Sequence, residues 1–325
     1  MPKISICMAA YNHQQFVGEA IQSVLDQTFQ DWELIITDDA SPDHTADVIS
    51  HYNDPRIKFF KHEKNQGIAI TTADCIKKAQ GTYIAILNSD DRYRPAKLEK
   101  QVQILDERPE VWAVFTHVWF INRYGGKYNK LNIGFYTNKR NIFNKSNRSR
   151  REWLNYFFYY NNTLCDPSVM ARREVYTEIA PPDPHFPIAG DFNRWVRLCL
   201  HHDIFIIPEI LLDFRIHQNA SGSSWLTTPP KIDWEYFLIL RNYLEIKTPD
   251  ELQRIFPELY EGQELDPDLI PYYLALPASK MASRTYRLFA VSVLSDLLDN
   301  PDKAAKLDKL CGFTHKDLHK LYKTI

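Results

Sequence analysis

Short apolar runs alternate with amphipathic segments through the first 120 residues. Residues 3–9 (KISICMA) form an apolar run that predicts a strand, closing at Ala10-Tyr11-Asn12. Residues 14–28 then set Phe16, Ala20, Ile21, Val24 and Leu25 at helical spacing. A second strand is predicted from Trp32 to Thr37, ending abruptly in Asp38-Asp39-Ala40-Ser41-Pro42-Asp43, and a helix follows through Ala46, Val48, Ile49 and Tyr52. Arg56 to Phe60 predicts a third strand, residues 68–80 a helix, and Thr82 to Leu87 a fourth strand that closes at Asn88-Ser89-Asp90-Asp91. Pro95 opens a helix through Leu98, Val102, Ile104 and Leu105, and the apolar run 111–120 is a further strand.

Strands and helices alternating at this spacing predict an α/β fold, with a mostly parallel sheet flanked by helices on both faces. In such sheets ligands bind beyond the carboxyl ends of the strands. Tyr11-Asn12, Asp38-Asp39 and Asp90-Asp91 all fall at predicted strand ends, so three polar clusters share one edge.

The pattern changes after residue 120. Gly125-Gly126 leads into a stretch with Lys139, Arg140, Lys145, Arg148, Arg150 and Arg151, which reads as a long basic surface loop over 139–151. It is a candidate lid, or a contact for an anionic acceptor. The aromatic run Trp153 to Tyr160 reads as core, residues 165–171 as strand-like, and Phe192 to Cys199 as a short amphipathic helix. Residues 204–216 read as strand, turn, strand. From about 232 the pattern is mainly helical, with Leu288, Val291, Leu294, Leu297 and Leu298 on one face. The expected division is 1–225, with halves 1–120 and 121–225, followed by a helical C-terminal extension over 226–325.

Composition narrows the function classes. A chain of 325 residues with 44% apolar and 25% charged residues is ordinary for a globular protein. The net charge of −2 gives no bulk reason to expect nucleic acid as a partner. Five widely spaced cysteines without a C-x-x-C pair argue against a disulfide framework or a zinc site, and favour a reducing compartment. With no secretory leader pattern and no run of about 18 apolar residues, the expected location is cytoplasmic, with the inner face of a membrane as a further expectation.

No G-x-G-x-x-G or G-x-x-x-x-G-K-[ST] follows a strand, so the glycine cradle for a pyrophosphate is missing. A divalent cation held by carboxylates is an alternative source of positive charge, and Mn²⁺ or Mg²⁺ is the expected cofactor. Asn88-Ser89-Asp90-Asp91 suits that role. It also suits a plain strand-to-helix turn capped by Ser89 or Asp91.

Taken in order, the segments from Ser5 to Asn12, Ala20 to Thr28, Glu33 to Ser41, Asn65-Gln66-Gly67 and Tyr83 to Asp91 resemble the nucleotide-binding half of glycosyltransferase family 2, an inverting family with the GT-A fold. The resemblance implies that Asp38 or Asp39 contacts the nucleotide base, and that Ala9 and Tyr11 line its pocket together with Asn65 and Ser89. It further implies that Asp90 faces the ribose and sugar, and that Asp91 ligates the metal. Where the family often carries Ala-Arg-Asn after N-x-G, this chain has Thr71-Thr72-Ala73, which puts a phosphate contact there in doubt. Asp166-Pro167-Ser168-Val169-Met170 and Gly190-Asp191-Phe192-Asn193-Arg194-Trp195 are similar to the family's acceptor-side segment, making Asp191 the implied catalytic base. A helix N-cap explains Asp191 equally well, and both roles can coexist. Arg215 to Ser221 resembles the closing segment, where His217 or Arg215 can reach the metal or a diphosphate oxygen; a purely structural histidine is the plainer reading.

The resulting expectation is an inverting transferase acting on a nucleotide-diphosphate sugar, with UDP-sugars favoured. The acceptor is a glycan or lipid-linked hydroxyl in cell-envelope polysaccharide synthesis. Peripheral membrane contact and a homodimer are further expectations drawn from the apolar faces of the C-terminal helices. A metal-dependent nucleotidyltransferase and an inactive transferase-like binding subunit are the alternatives.

Overall fold

The structure, a computed structural model, describes residues 1–128, 136–137, 140–217, 229–323 and 325. Lys139 of the basic stretch and Gln218 to Ser221 of the closing segment lie outside the described residues.

The first compact unit comprises residues 1–150 and 160–224. Its elements are β1 (Ile4–Ala10), α1 (Val17–Leu25), β2 (Trp32–Asp38), α2 (Thr45–Ser50), β3 (Ile57–Lys61), α3 (Ile68–Lys78), β4 (Tyr83–Ile86), β5 (Arg92–Tyr93), α4 (Lys97–Glu107) and β6 (Val111–Ile121). A small hairpin, β7 (Tyr136–Thr137) and β8 (Arg140–Asn141), precedes α5 (Arg150–Tyr160); then come β9 (Met170–Arg172), α6 (Gly190–Cys199) and β10 (Asp203–Arg215). Eight strands form one sheet in the order β3-β2-β1-β4-β9-β6-β10-β5. Strands β1 to β4 pair in parallel, as do β6 and β10. Strand β1 is buried along nearly its whole length, as expected of a central strand covered on both faces.

The sheet is more mixed than the alternating pattern predicts. Three-residue β9 slots antiparallel between β4 and β6, and β5 pairs antiparallel with β10 at the edge. The expected strand-turn-strand over 204–216 is instead one long strand. Its ladder on β6 skips Pro208 and Glu209, between the pairs Ile207↔Thr116 and Ile210↔His117. Proline has no N–H to give a ladder, so a bulge at Pro208 keeps the strand continuous while redirecting it.

The described part of the basic stretch is also more anchored than a solvated loop. The Asn144 side chain accepts from the Val118 amide at 2.9 Å, and Asn147 both accepts from the Ile206 amide (2.6 Å) and donates to its carbonyl (2.7 Å). Two asparagines thereby stitch this segment to β6 and β10.

The second unit comprises residues 151–159 and 225–325. Its helices after α5 are α7 (Pro229–Arg241), α8 (Pro249–Ile255), α9 (Pro257–Tyr260), α10 (Ile270–Ser279), α11 (Arg284–Leu298), α12 (Pro301–Cys311) and α13 (His315–Tyr322). The aromatic run supplies its centre. Phe158 is buried, with the rings of Tyr243, Phe256 and Tyr286 edge-on at 5.1–5.6 Å, a favoured aromatic geometry. Among the described residues no helix is long and apolar enough to cross a membrane.

Candidate active site

The ends of β1, β2 and β4 open into a cleft of ≈ 330 Å³. Its walls include Ala9 near the end of β1, Tyr11 and His13 after it, Asp39 after β2, Asn65 and Gly67 before α3, and Asn88, Ser89 and Asp90 after β4. Parallel strands bring these four segments to one edge, and the Asp39 amide donates to the Ala10 carbonyl at 2.8 Å, tying two of them together.

The two acids after β2 divide their work. Asp38 has no exposed surface and is not part of the cleft wall; it accepts from the amide of Ser41 at 3.0 Å and from the Ser41 hydroxyl. Of the pair offered as base contacts, Asp39 is the one that reaches the cleft. It also accepts from the amides of Gln66 and Gly67, each at 2.8 Å, and sits 2.8 Å from His62 Nδ1. Burial pushes its carboxyl upward, but the His62 contact and the two amides outweigh it, so the group lies below its ordinary value. Gly67 adopts φ 87°, a left-handed conformation that glycine reaches without strain, and this turns its amide toward Asp39.

Asp90 and Asp91 also point apart. Asp91 is 1% exposed and lies outside the cleft wall. Its carboxylate accepts from the Arg215 amide at 2.7 Å and from the Asn88 side chain at 3.2 Å. Burial first, and the charge of Asp90 second, push its carboxyl well up. Asp91, which the resemblance makes the metal ligand, is turned inward here and bonded to the protein. Asp90 faces the cleft, and its Oδ2 lies 2.9 Å from His217 Nε2.

His13 completes this group. One potential ligand atom each from His13, Asp90 and His217 falls within 4.8 Å of the others. A carboxylate and two imidazoles are a fitting donor set for a divalent transition metal. Burial lowers the pKa of His13, which favours the neutral ring that a ligand requires. His13 Nδ1 is 2.8 Å from Ser89 Oγ, and Phe16 packs beside both imidazoles, 5.9 Å from His13 and 4.6 Å from His217.

Arg215 organises the surroundings from a buried position. Its Nε donates to the Asp90 carbonyl at 2.7 Å, and its two terminal nitrogens reach the Asn122 and Arg123 carbonyls and the Glu19 carboxylate. One guanidinium thus joins β10 to the Asp90-Asp91 turn and to α1. A planar five-donor head can satisfy so many partners at once; a lysine cannot.

Asp191 sits in the first turn of α6 and does not line the cleft. Its Oδ1 accepts from the Phe192 amide at 2.7 Å and its Oδ2 from the Asn162 side chain at 2.9 Å. Burial, then the charge of Asp166, lift its carboxyl to about 7 against these donors. Asp166 is raised too, chiefly by burial, with Arg194 3.9 Å away. The Cys165 thiol is pushed well up by burial first, and by the charges of Asp91, Asp166 and Asp191 after it.

Comparisons with known proteins identify the family and the fold. Residues 5–178 match the family model described as glycosyl transferase family 2. The uncharacterized glycosyltransferase MJ1057 of Methanocaldococcus jannaschii is 30% identical over 221 residues, covering 66% of this chain and 71% of that protein. The putative teichuronic acid biosynthesis glycosyltransferase TuaG of Bacillus subtilis is 39% identical over 109 residues, 33% of this chain and 43% of its own length. The UDP-Glc:alpha-D-GlcNAc-diphosphoundecaprenol beta-1,3-glucosyltransferase WfgD of Escherichia coli is 38% identical over 102 residues, 31% and 40% of the two chains. The match thus spans less than half of TuaG and of WfgD. The crystal structure of S. aureus TarS 1-349 in complex with UDP superposes with a TM-score of 0.62 at 15% identity, covering 99% of this chain and 90% of that one. The mannosyltransferase PcManGT from Pyrobaculum calidifontis, in complex with GDP-Man and Mn²⁺, gives 0.50 at 13%, covering 99% and 86%. At such identities the likeness speaks for the GT-A fold. With its family model matched over more than half its length, the chain belongs to glycosyltransferase family 2, a family of transferase enzymes.

Proposed function

We infer that the chain moves a sugar from a nucleotide-diphosphate donor, a UDP-sugar in first place, to a hydroxyl of a glycan or lipid-linked acceptor, by direct displacement with inversion. The observation that carries this reading is the meeting of His13, Asp90 and His217 at the ends of β1, β4 and β10, beside a cleft walled by the β1 and β2 ends and lacking a glycine phosphate cradle. The UDP complex of TarS and the Mn²⁺ complex of PcManGT support the donor and metal classes, and WfgD's diphosphoundecaprenol substrate supports a lipid-linked acceptor.

Asp39, with the Gln66 and Gly67 amides fixed on it, shapes the wall where the base would sit, and Tyr11 and Ala9 complete that wall. Asp90 and His217 would hold Mn²⁺ or Mg²⁺, which when bound neutralises charge building on the departing diphosphate. Asp191 takes the proton from the acceptor hydroxyl as it attacks the anomeric carbon. A carboxyl poised near 7 is matched to that task at neutral pH. Calorimetric titration of UDP with and without Mn²⁺ tests the donor half. Affinity that rises with Mn²⁺ and persists in Asp191→Asn is expected, whereas UDP binding indifferent to metal would refute it.

A further inference from the structure

Two imidazoles and one carboxylate meet in this site, and that composition says more than the presence of a cation. We propose that His13 is itself a metal ligand, so that the site is a two-histidine, one-carboxylate site selecting Mn²⁺-type ions over Mg²⁺. The inference rests on the metal-assisted reading above and deepens it.

Three features converge. The ligand atoms of His13, Asp90 and His217 lie within 4.8 Å of one another, close enough to share one ion. Ser89 Oγ lies 2.8 Å from His13 Nδ1, which fixes the ring and leaves Nε2 for a metal. Metal-bound histidines characteristically have their second ring nitrogen held in this way. The backbone is fixed as well: the His13 amide donates to Thr45 Oγ1 at 2.8 Å, and its ring meets His217 edge-on at 5.5 Å with Phe16 beside both. A histidine required only to hold Ser89 would not have to line the cleft beside Asp90.

The ion class follows from the donors. Mg²⁺ demands oxygen ligands in near-ideal octahedral geometry and gives up its waters reluctantly. Imidazole nitrogen favours first-row transition ions over Mg²⁺, with Mn²⁺ the weakest binder of that series, and two histidines with one carboxylate would leave room for substrate oxygens and water. Diphosphate oxygens would be suitable further ligands. The chain also carries Thr71-Thr72-Ala73 in place of a family arginine, so the cation would carry much of the charge compensation.

The test is Mn²⁺ binding to the purified full chain with UDP present, read by the EPR signal of free Mn²⁺, with Mg²⁺ measured by competition. His13→Ala should weaken Mn²⁺ roughly tenfold or more while moving Mg²⁺ far less, with circular dichroism unchanged. Ser89→Ala should weaken Mn²⁺ by a smaller factor. Wild-type Mn²⁺ affinity in His13→Ala, alongside a loss in Asp90→Ala, overturns the role of His13 and leaves the metal site standing. Unchanged affinity in Asp90→Ala as well overturns the metal reading itself. Pulsed EPR of Mn²⁺ on the wild-type protein provides a readout that needs no variant: couplings from two imidazole nitrogens are expected, and one alone overturns the proposal.

Discussion

Asp191→Asn should abolish transfer and at the same time make the protein more resistant to unfolding at alkaline pH. The Asp191 carboxyl is lifted from the ordinary 3.8 to about 7 by burial and by Asp166. An unfolded chain has neither influence, so between those pH values the folded protein keeps a proton that the unfolded chain has released. The sign follows: the stabilisation is complete below pH 4 and is lost as the pH rises through 7. At 1.36 kcal/mol per pH unit, the wild type loses roughly 3 kcal/mol from this group between pH 5 and pH 8. That figure is an upper value, because Asp166 shares the titration. An asparagine cannot ionise and loses nothing. It does clash with one of the two donors aimed at it, from Phe192 and Asn162, which costs about 1 kcal/mol at every pH. The informative quantity is therefore the change with pH in the stability difference, read from urea unfolding of both proteins at pH 5 and pH 8. A difference that moves toward the variant by about 1–3 kcal/mol is expected. A difference constant across the range would show that the carboxyl is not held protonated, and the base assignment would lose its physical support.

Asp166→Asn removes the second influence that raises Asp191, so the acidic limb of kcat/KM should move to lower pH; a limb that stays put or moves up contradicts the pairing. Arg215→Lys keeps the charge but loses the fork that joins the Asp90 carbonyl, the 122–123 turn and Glu19. It should cost about 2–4 kcal/mol of stability by denaturant titration and weaken Mn²⁺-dependent UDP binding, and wild-type values for both would refute the organising role. Asp39→Asn leaves one of the Gln66 and Gly67 amides without an acceptor, and should lower UDP affinity by roughly tenfold by calorimetry.

The edge that carries the site was legible in the chain. Apolar runs ending at Tyr11-Asn12, Asp38-Asp39 and Asn88-Ser89-Asp90-Asp91 become β1, β2 and β4, and Ala9, Tyr11, Asp39, Asn65, Ser89 and Asp90 do line one cleft. What the chain could not show was which of two adjacent acids turns inward. Successive side chains after a strand leave in different directions, and the partner that claims Asp91, the Arg215 amide, lies far downstream. The same distance hid His13. It read as part of a loop because its neighbours Asp90 and His217 come from two other strand ends. Asn162 was likewise silent, and Asp166 stood out only as part of the acceptor-side segment, since their effect on Asp191 exists only after α6 has packed. The strand-like stretch expected over 165–171 resolves into a turn at Asp166–Ser168 and the short β9, too short for periodicity to set its ends.

The proposed reaction is metal-assisted inverting transfer with Asp191 as base. Its most direct test is proton NMR of the product formed from an α-linked UDP-sugar with Mn²⁺ and a lipid-linked acceptor, run with wild type and Asp191→Asn. The account predicts a β-linked product from the wild type alone, with UDP binding unimpaired in the variant. An α-linked product, or near-normal turnover by Asp191→Asn, would contradict it.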